Sequence, residues 1–336
     1  MNLETNYMGL TLRNPVVASA GPLSQTVDGI RELGDGGVGA VVVYSLFEEQ
    51  LRREAERVTA EAEEFDDMFG EATSFFPSMV VEDFDPSRKY LELIEGAAKA
   101  SEVPVIASLN GSSVGAWTQT AKRLEDAGAS ALELNIYLVP GDLTATGAQV
   151  EERHLEIVAA VKETLSIPVA VKLSPYFSSV GNMCVRLDEA GADGLVLFNR
   201  FLQPDIDIER MEVTSGISLS QPGEAKLPRT WIAILRDKVK ASLAATTGVE
   251  AAEDVVKYIL AGADVVMTTS ALVRHGAGYA ATLAAGLESW LDAHSLTLEQ
   301  ARGMMAVPAD IDATRYERAG YVSALEQVKS TYGSLA

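Results

Sequence analysis

PVAVKLSP, residues Pro168–Pro175, is the stretch whose reading decides the fold. Under strand alternation Val169, Val171 and Leu173 share one face, and Ala170 and Lys172 share the other. The two prolines cannot continue a central ladder, so they bracket a strand of only a few residues. A parallel-barrel strand packs helices on one face and a tight side-chain core on the other. Lys172 then points inward at the carboxyl end of its strand, where such barrels keep their active sites. An ammonium there needs an anion or a polar ligand. The plainer alternative is a lysine that reaches past the rim to water.

Outward from this strand, similar β-rich runs recur, each followed by a helix-length segment. They are NPVVASAG from Asn14, GAVVVYS from Gly39, PVIASLNG from Pro104, ALELNIY from Ala131, GLVLFN from Gly194, KASLAATTG from Lys240 and DVVMTTSAL from Asp264. With PVAVKLSP they make eight strand signals alternating with helices, which predicts an α/β fold of the (β/α)8 TIM-barrel type. The endings DAGASAL, EAGADGL and LAGADVV place a glycine where a helix must cap and turn into the next strand. With no composition break or linker, residues 1–336 read as a single domain; a doubly wound sheet with a second domain is the alternative. GDGGVGA from Gly34 follows a helix and opens a strand, so it is a turn and not a dinucleotide fingerprint.

Three segments exceed a minimal barrel. An insertion after the second strand, about residues 48–84, begins with Leu51, Ala55, Val58, Ala62 and Phe65 on one helical stripe. It continues into an aromatic patch at Phe75 and Phe76 and reads either as a lid or subunit contact or as a solvated surface helix. Asp85-Pro86 reads as an N-cap and first helical position. Residues 203–227 form a second excursion rich in Ser, Gly and Pro. A C-terminal helical extension, about residues 295–336, opens with capping-box spacing at Thr297 and Gln300.

The chain carries 27 basic and 48 acidic residues, a net charge of −21, which argues against nucleic acid or an anionic membrane as partner. Any anionic ligand must then be held by local donors. No basic leader with a long apolar run opens the sequence and no stretch is long enough to span a bilayer, so a cytoplasmic protein is expected. The one cysteine, Cys184, lies in a helix pattern and reads as a buried thiol. His154, His275 and His294 lack metal-ligand spacing, and no metal is expected.

The alternation rule gathers polar groups at one end of the barrel. Glu133 and Asn135 face inward on the fourth strand, Ser108 and Asn110 end the third, and Asn199 ends the sixth. A ring of amides around Lys172 suits a planar polar heterocycle better than a metal, although each asparagine alone could cap a turn. After strands seven and eight, Thr246, Thr247, Gly248 and Val249, and then Thr268, Thr269 and Ser270, occupy the places where barrels commonly cradle a phosphate. Small Thr/Ser/Gly loops also serve as ordinary tight connections.

Taken in order, NPVVASAG, the VVxxS second strand, ELN, PVAVKLSP, the strand-six asparagine and the final aGA-plus-Thr/Ser strand resemble class 1 dihydroorotate dehydrogenases. SLFEEQ, ELNIY, VKLSP, LFNRF and QPDIDIE resemble the dihydroorotate-dehydrogenase-like branch more closely still. The resemblance implies an FMN-dependent oxidoreductase of CH–CH bonds, tied to pyrimidine metabolism, usually a homodimer. It implies a small planar substrate and an electron acceptor or redox partner that the motifs leave unidentified. By resemblance Gly21 and Ser45 would contact the flavin, Asn110 and Asn135 would help hold it, and Lys172 would sit at its pyrimidine edge. Gly248, Val249, Thr269 and Ser270 would take the phosphate, and Asn199 the substrate.

The departures from the family pattern are equally specific. Tyr44 stands where the family has a lysine, and ELNIYLVPGD lacks the Cys or Ser base, with Leu138 near that position. EATSFFPSM has no counterpart of the asparagine-containing substrate loop, and Thr247-Gly248 replaces a glycine pair. Tyr137 is the candidate substitute base. Two other readings stand beside the oxidoreductase: a Schiff-base lyase or aldolase using Lys172, and a flavin-binding partner subunit without turnover.

Overall fold

The eight apolar runs become the eight parallel strands of a closed barrel in the computed structural model, which describes residues 2–54, 56–57, 85–111, 114–136, 143–200, 204–214, 216 and 218–332. The strands are β1 (Val16–Ala18), β2 (Ala40–Val42), β3 (Val105–Asn110), β4 (Ala131–Asn135), β5 (Val169–Leu173), β6 (Gly194–Leu197), β7 (Ser242–Thr246) and β8 (Val265–Thr268). Each pairs with its sequence neighbours, and β8 pairs with β1 to close the ring.

The strands are buried on both faces, which is why they read as continuous apolar runs. Val17, Val42, Ile106, Ala170, Val196 and Met267 belong to the cluster that fills the interior. A short hairpin, Thr5–Tyr7 with Leu10–Leu12, adds Tyr7, Met8 and Leu12 to the same cluster. Outward residues such as Val171, Leu134 and Leu195 pack in a second cluster with the helices. Each fully buried aliphatic side chain of this kind contributes about 1.5–3 kcal/mol.

The helices are α1 (Val27–Asp35), α2 (Arg88–Ala100), α3 (Val114–Asp126), α4 (Gly147–Thr164), α5 (Val180–Glu189), α6 (Lys226–Leu235), α7 (Ala252–Ala261), α8 (Ser270–His275), α9 (Tyr279–His294) and α10 (Ala313–Tyr332). The glycines that end α3, α5 and α7, Gly128, Gly191 and Gly262, have φ of 98°, 98° and 120°. They make the left-handed turn that the repeated aGA endings foretold.

Inside the insertion, residues 48–54 and 56–57 are helical, and Phe75 and Phe76 lie outside the described residues. Ser87, and not the expected Asp85, is the N-cap residue of α2. Asp85 accepts from the Ser87 backbone N–H at 3.0 Å and is clamped by Arg123 of α3, so it anchors the helix start from outside. The second excursion forms an antiparallel hairpin, Asp205–Asp207 with Glu212–Thr214, and then a single 3-10 turn, Pro222–Ala225. The C-terminal extension holds the predicted capping box at Thr297, a short helix Leu298–Ala301 and then α10. Arg302 fastens it to the barrel floor by donating to Thr5 Oγ1 at 2.6 Å.

Candidate active site

Strand register brings the expected polar ring to one level. Asn110 of β3 lies opposite Asn135 of β4, and Asn135 lies opposite Lys172 of β5. All three are buried. The Lys172 Nζ atom stands 3.3 Å from Ser19 Oγ beyond β1 and 3.3 Å from Glu133 Oε1 on β4. Asn199, just past β6, donates from Nδ2 to Asn135 Oδ1 at 2.9 Å. A cleft of about 560 Å³ opens over this group, lined among others by Gly21, Lys172, Asn199, Val249, Thr269 and Ser270. That volume lies within the ordinary range for a bound organic ligand.

The far end of the cleft is built from the last two barrel turns. After β7 the backbone passes through positive φ at Thr247 (82°) and Gly248 (72°). The Tyr258 hydroxyl donates to the Thr247 carbonyl at 2.7 Å and holds this turn from α7. Val249 is buried, and Ser270 opens α8. Ser220, delivered by the second excursion, donates its N–H to Ser270 Oγ at 3.0 Å and receives the Gly248 N–H on its own Oγ at 3.3 Å. Arg274 of α8 donates to the Ser220 carbonyl at 2.8 Å and pairs with Glu250. Hydroxyls, backbone amides and one guanidinium thus converge where a phosphate was expected.

Four expected contacts, Ser45, Asn110, Asn135 and Gly248, are not among the residues that line this cleft; Asn135 stands behind Asn199 and Gly248 behind Ser220, while the other two fall elsewhere. Val42 is interior, but Val43 and Tyr44 both pack on the helix side, so the alternation of β2 breaks beyond its end. The Tyr44 ring meets Tyr90 of α2 edge-on at 5.1 Å, and burial raises its phenol above the ordinary range. Ser45 then turns back to share a 2.8 Å hydrogen bond with Ser108. Asn110 lines a separate small cavity with Glu48, Leu51 and Trp117. Neither Ser45 nor Asn110 lines the main cleft, because both stand on the β2–β3 side of the ring. Gly21 does line it, and a Cβ there would meet Thr269 Cγ2 at 2.4 Å. Tyr137 and Leu138 lie outside the described residues.

Sequence reasoning passed over Ser19, Ser220 and Arg200, which also line the cleft. Ser19 could have been found by carrying the β1 alternation two residues past the interior Val17. Ser220 and Arg200 sit in irregular chain, where no periodicity marks them.

Among the described residues no group of three or more His, Cys, Asp or Glu could hold a metal. No helix there is long and apolar enough to cross a membrane. Cys184 is buried in α5, and burial pushes its thiol up to about 12. The donor set of the cleft instead fits FMN. Uncharged polar groups of Ser220, Gly248 and Ser270, hydrogen-bonded to one another, stand at one end of the cleft, and a cation with amides at the Lys172 end. Its described lining contains no carboxylate that would repel a phosphate.

The family model described as dihydroorotate dehydrogenase matches residues 2–291. The chain is 28% identical over 312 residues to the dihydroorotate dehydrogenase B (NAD(+)) catalytic subunit of Methanocella arvoryzae, covering 90% of this chain and 98% of that protein. It is 26% identical over 303 residues to the Methanothermobacter thermautotrophicus protein of the same name, covering 88% of this chain and 95% of that one. With FMN as its cofactor and CH–CH oxidoreduction as its chemistry, this barrel belongs to the dihydroorotate dehydrogenase family.

Proposed function

We propose that FMN lies along the carboxyl-end cleft, with its phosphate among Ser220, Gly248, Val249, Thr269 and Ser270 and its pyrimidine edge beside Lys172. Bound there, FMN supplies the centre that exchanges a hydride with a small planar substrate. Asn135 and Asn199, already linked at 2.9 Å, present amide donors and acceptors together and orient the polar edge of that substrate. Lys172 places a positive charge where electron density accumulates. Phe198, Leu219 and Val273 supply apolar wall that excludes water. Gly21 lets the chain pass close to the ring.

The observation that carries this reading is the register of β4 and β5, which sets Asn135 beside Lys172, itself in the lining of a cleft with no described carboxylate. Ser45 and Asn110 take supporting positions in this reading, behind the ring on the β2–β3 side. Lys172 is engaged by Glu133 and Ser19 and is not a free amine in an apolar pocket, which weighs against the Schiff-base lyase. The reading extends to a cytoplasmic homodimer that passes electrons to a redox partner; the names of the relatives as NAD(+)-linked catalytic subunits support such a partner. Denaturation should release a yellow chromophore identified by mass spectrometry as FMN. A colourless protein that takes up no added FMN would sink the proposal.

A further inference from the structure

Beneath the amide ring lies a carboxylate that the proposed function does not use. Glu133 sits on β4 one inward step below Asn135, opposite Ser108 of β3 and Ala170 of β5. It is 1% exposed. Its Oε1 is 3.3 Å from Lys172 Nζ, and its Oε2 is buried with no hydrogen-bond partner among the described residues. Its surroundings in the barrel interior include Ser108, opposite it on β3, and the buried Tyr7 phenol, which burial first and the Glu133 charge second push above its ordinary range.

This is a poor arrangement for stability alone. A buried ion pair offsets its desolvation only with short contacts and with its remaining lone pairs satisfied. Charge-assisted N–H···O contacts normally run about 2.7–2.9 Å. Here both Lys172 contacts are at 3.3 Å and half of the carboxylate is unpaired. Apolar side chains of similar volume would fill the same space at less cost.

The arrangement makes sense as control of charge at the cleft. Lys172 lines the cleft and Glu133 stands behind it, away from the ligand. A ligand at the mouth therefore meets a lysine whose field is partly cancelled by a carboxylate one layer down. In an interior of low dielectric such a cancellation is large compared with the same pair in water.

We infer that Glu133 is a positioning residue that acts through Lys172: it holds the ammonium at the cleft wall and sets how strongly the lysine favours the reduced flavin. The inference rests on FMN binding beside Lys172 as proposed above. With Glu133 neutral, the full lysine charge faces the cofactor and reduction becomes easier; with Lys172 neutral, Glu133 has nothing to act through.

The test is the midpoint potential of FMN in purified holoprotein, measured by dye-equilibrated reduction in wild type, Glu133→Gln, Lys172→Met and the double variant. Glu133→Gln should shift the two-electron equilibrium at least tenfold toward reduced flavin, about 30 mV upward. Lys172→Met should shift it the opposite way, and adding Glu133→Gln to Lys172→Met should change it less than threefold. Should Glu133→Gln fail to fold, Glu133→Asp keeps the charge but withdraws it from Nζ and should give a smaller rise. A potential that is unchanged or lowered in whichever Glu133 variant folds overturns the inference, as does an equal shift with and without Lys172. Those outcomes leave FMN bound and the proposed function standing. A wild type that binds no FMN overturns both.

Discussion

A single methyl group at Gly248 should separate the phosphate end of the cleft from the rest of the site. Gly248 has φ of 72°, a conformation that costs an L-residue about 1–2 kcal/mol. A Cβ there would stand 2.6 Å from the Ala225 backbone N and 2.9 Å from Ala225 Cβ. Those atoms belong to the 3-10 turn Pro222–Ala225, which cannot yield as a flexible side chain would. That turn follows directly on Ser220, whose hydroxyl receives the Gly248 N–H. Gly248→Ala must therefore displace both donors together. Hydrogen bonds to a charged group are worth about 1.5–3 kcal/mol each, so losing two weakens FMN binding roughly 10²- to 10⁴-fold. The assay is FMN fluorescence titration of the apoprotein, with riboflavin, which lacks the phosphate, as a parallel ligand. Riboflavin affinity should fall much less than FMN affinity. Thermal unfolding of the apoprotein should show a loss of about 1–3 kcal/mol from strain. A variant that melts lower yet binds FMN as tightly as wild type would show that the phosphate lies elsewhere.

The remaining predictions use other parts of the molecule. Lys172→Ala should slow flavin reduction and lower its potential while the far-ultraviolet circular dichroism stays that of a folded barrel; wild-type rate and potential would remove Lys172 from the flavin. With fumarate, quinone or dye acceptors, dihydroorotate turnover should fall roughly 10²- to 10⁴-fold below an enzyme with a placed base. Robust turnover would require an unrecognised base, with Tyr137 the first residue to replace. Glu125 is held down to about 2 against the opposing effect of burial, by hydrogen bonds from Lys122, Ser166 and the Ile167 amide. Because its folded value lies below the ordinary 4.5, its contribution is complete above that pH and is lost as pH falls toward 2. Glu125→Gln should therefore lower stability by about 1–2 kcal/mol at neutral pH, solvent screening of the exposed Lys122 partner included, and flatten the acid side of the unfolding curve between those values.

The barrel was legible because both of its periodicities are strict: strand alternation fixes which residues face inward, and the aGA turns mark where helices stop. Lys172, Glu133 and Asn135 follow from that rule alone, since β4 and β5 run without irregularity to their ends. The same rule fails at Tyr44 and Ser45. There the chain leaves β2 after Val42, two consecutive residues turn to the helix side, and side-chain parity shifts by one. The family position of a lysine is thereby filled by a ring stacked edge-on against α2, and this reversal has no signature in the letters GAVVVYS. Ser220 was illegible for a different reason. Its place is set by the hairpin and 3-10 turn of the second excursion, and long-range packing of irregular chain leaves no period to read.

A net charge of −21 and an anionic cofactor are reconciled by where the acids stand, not by how many there are. Each cation lining the cleft has a carboxylate behind it, Glu133 behind Lys172 and Glu224 behind Arg200, and Arg274, which holds the Ser220 carbonyl, is paired with Glu250. These pairs keep the cations in place, yet no described carboxylate lines the cleft itself. In the proposed pose the ligand would meet hydroxyls, amides and half-neutralised cations at short range, while the acidic surface is separated from it by solvent and screened beyond about 10 Å at 0.1 M salt. Uncharged donors at Ser220, Gly248 and Ser270 suit this setting, because they bind an anion by direction and do not depend on a favourable long-range field. In the inference drawn above, the pair at the Lys172 end has a second purpose. Where chemistry requires a graded charge and not simply the largest one, a carboxylate one layer down is the means by which a barrel strand can set it.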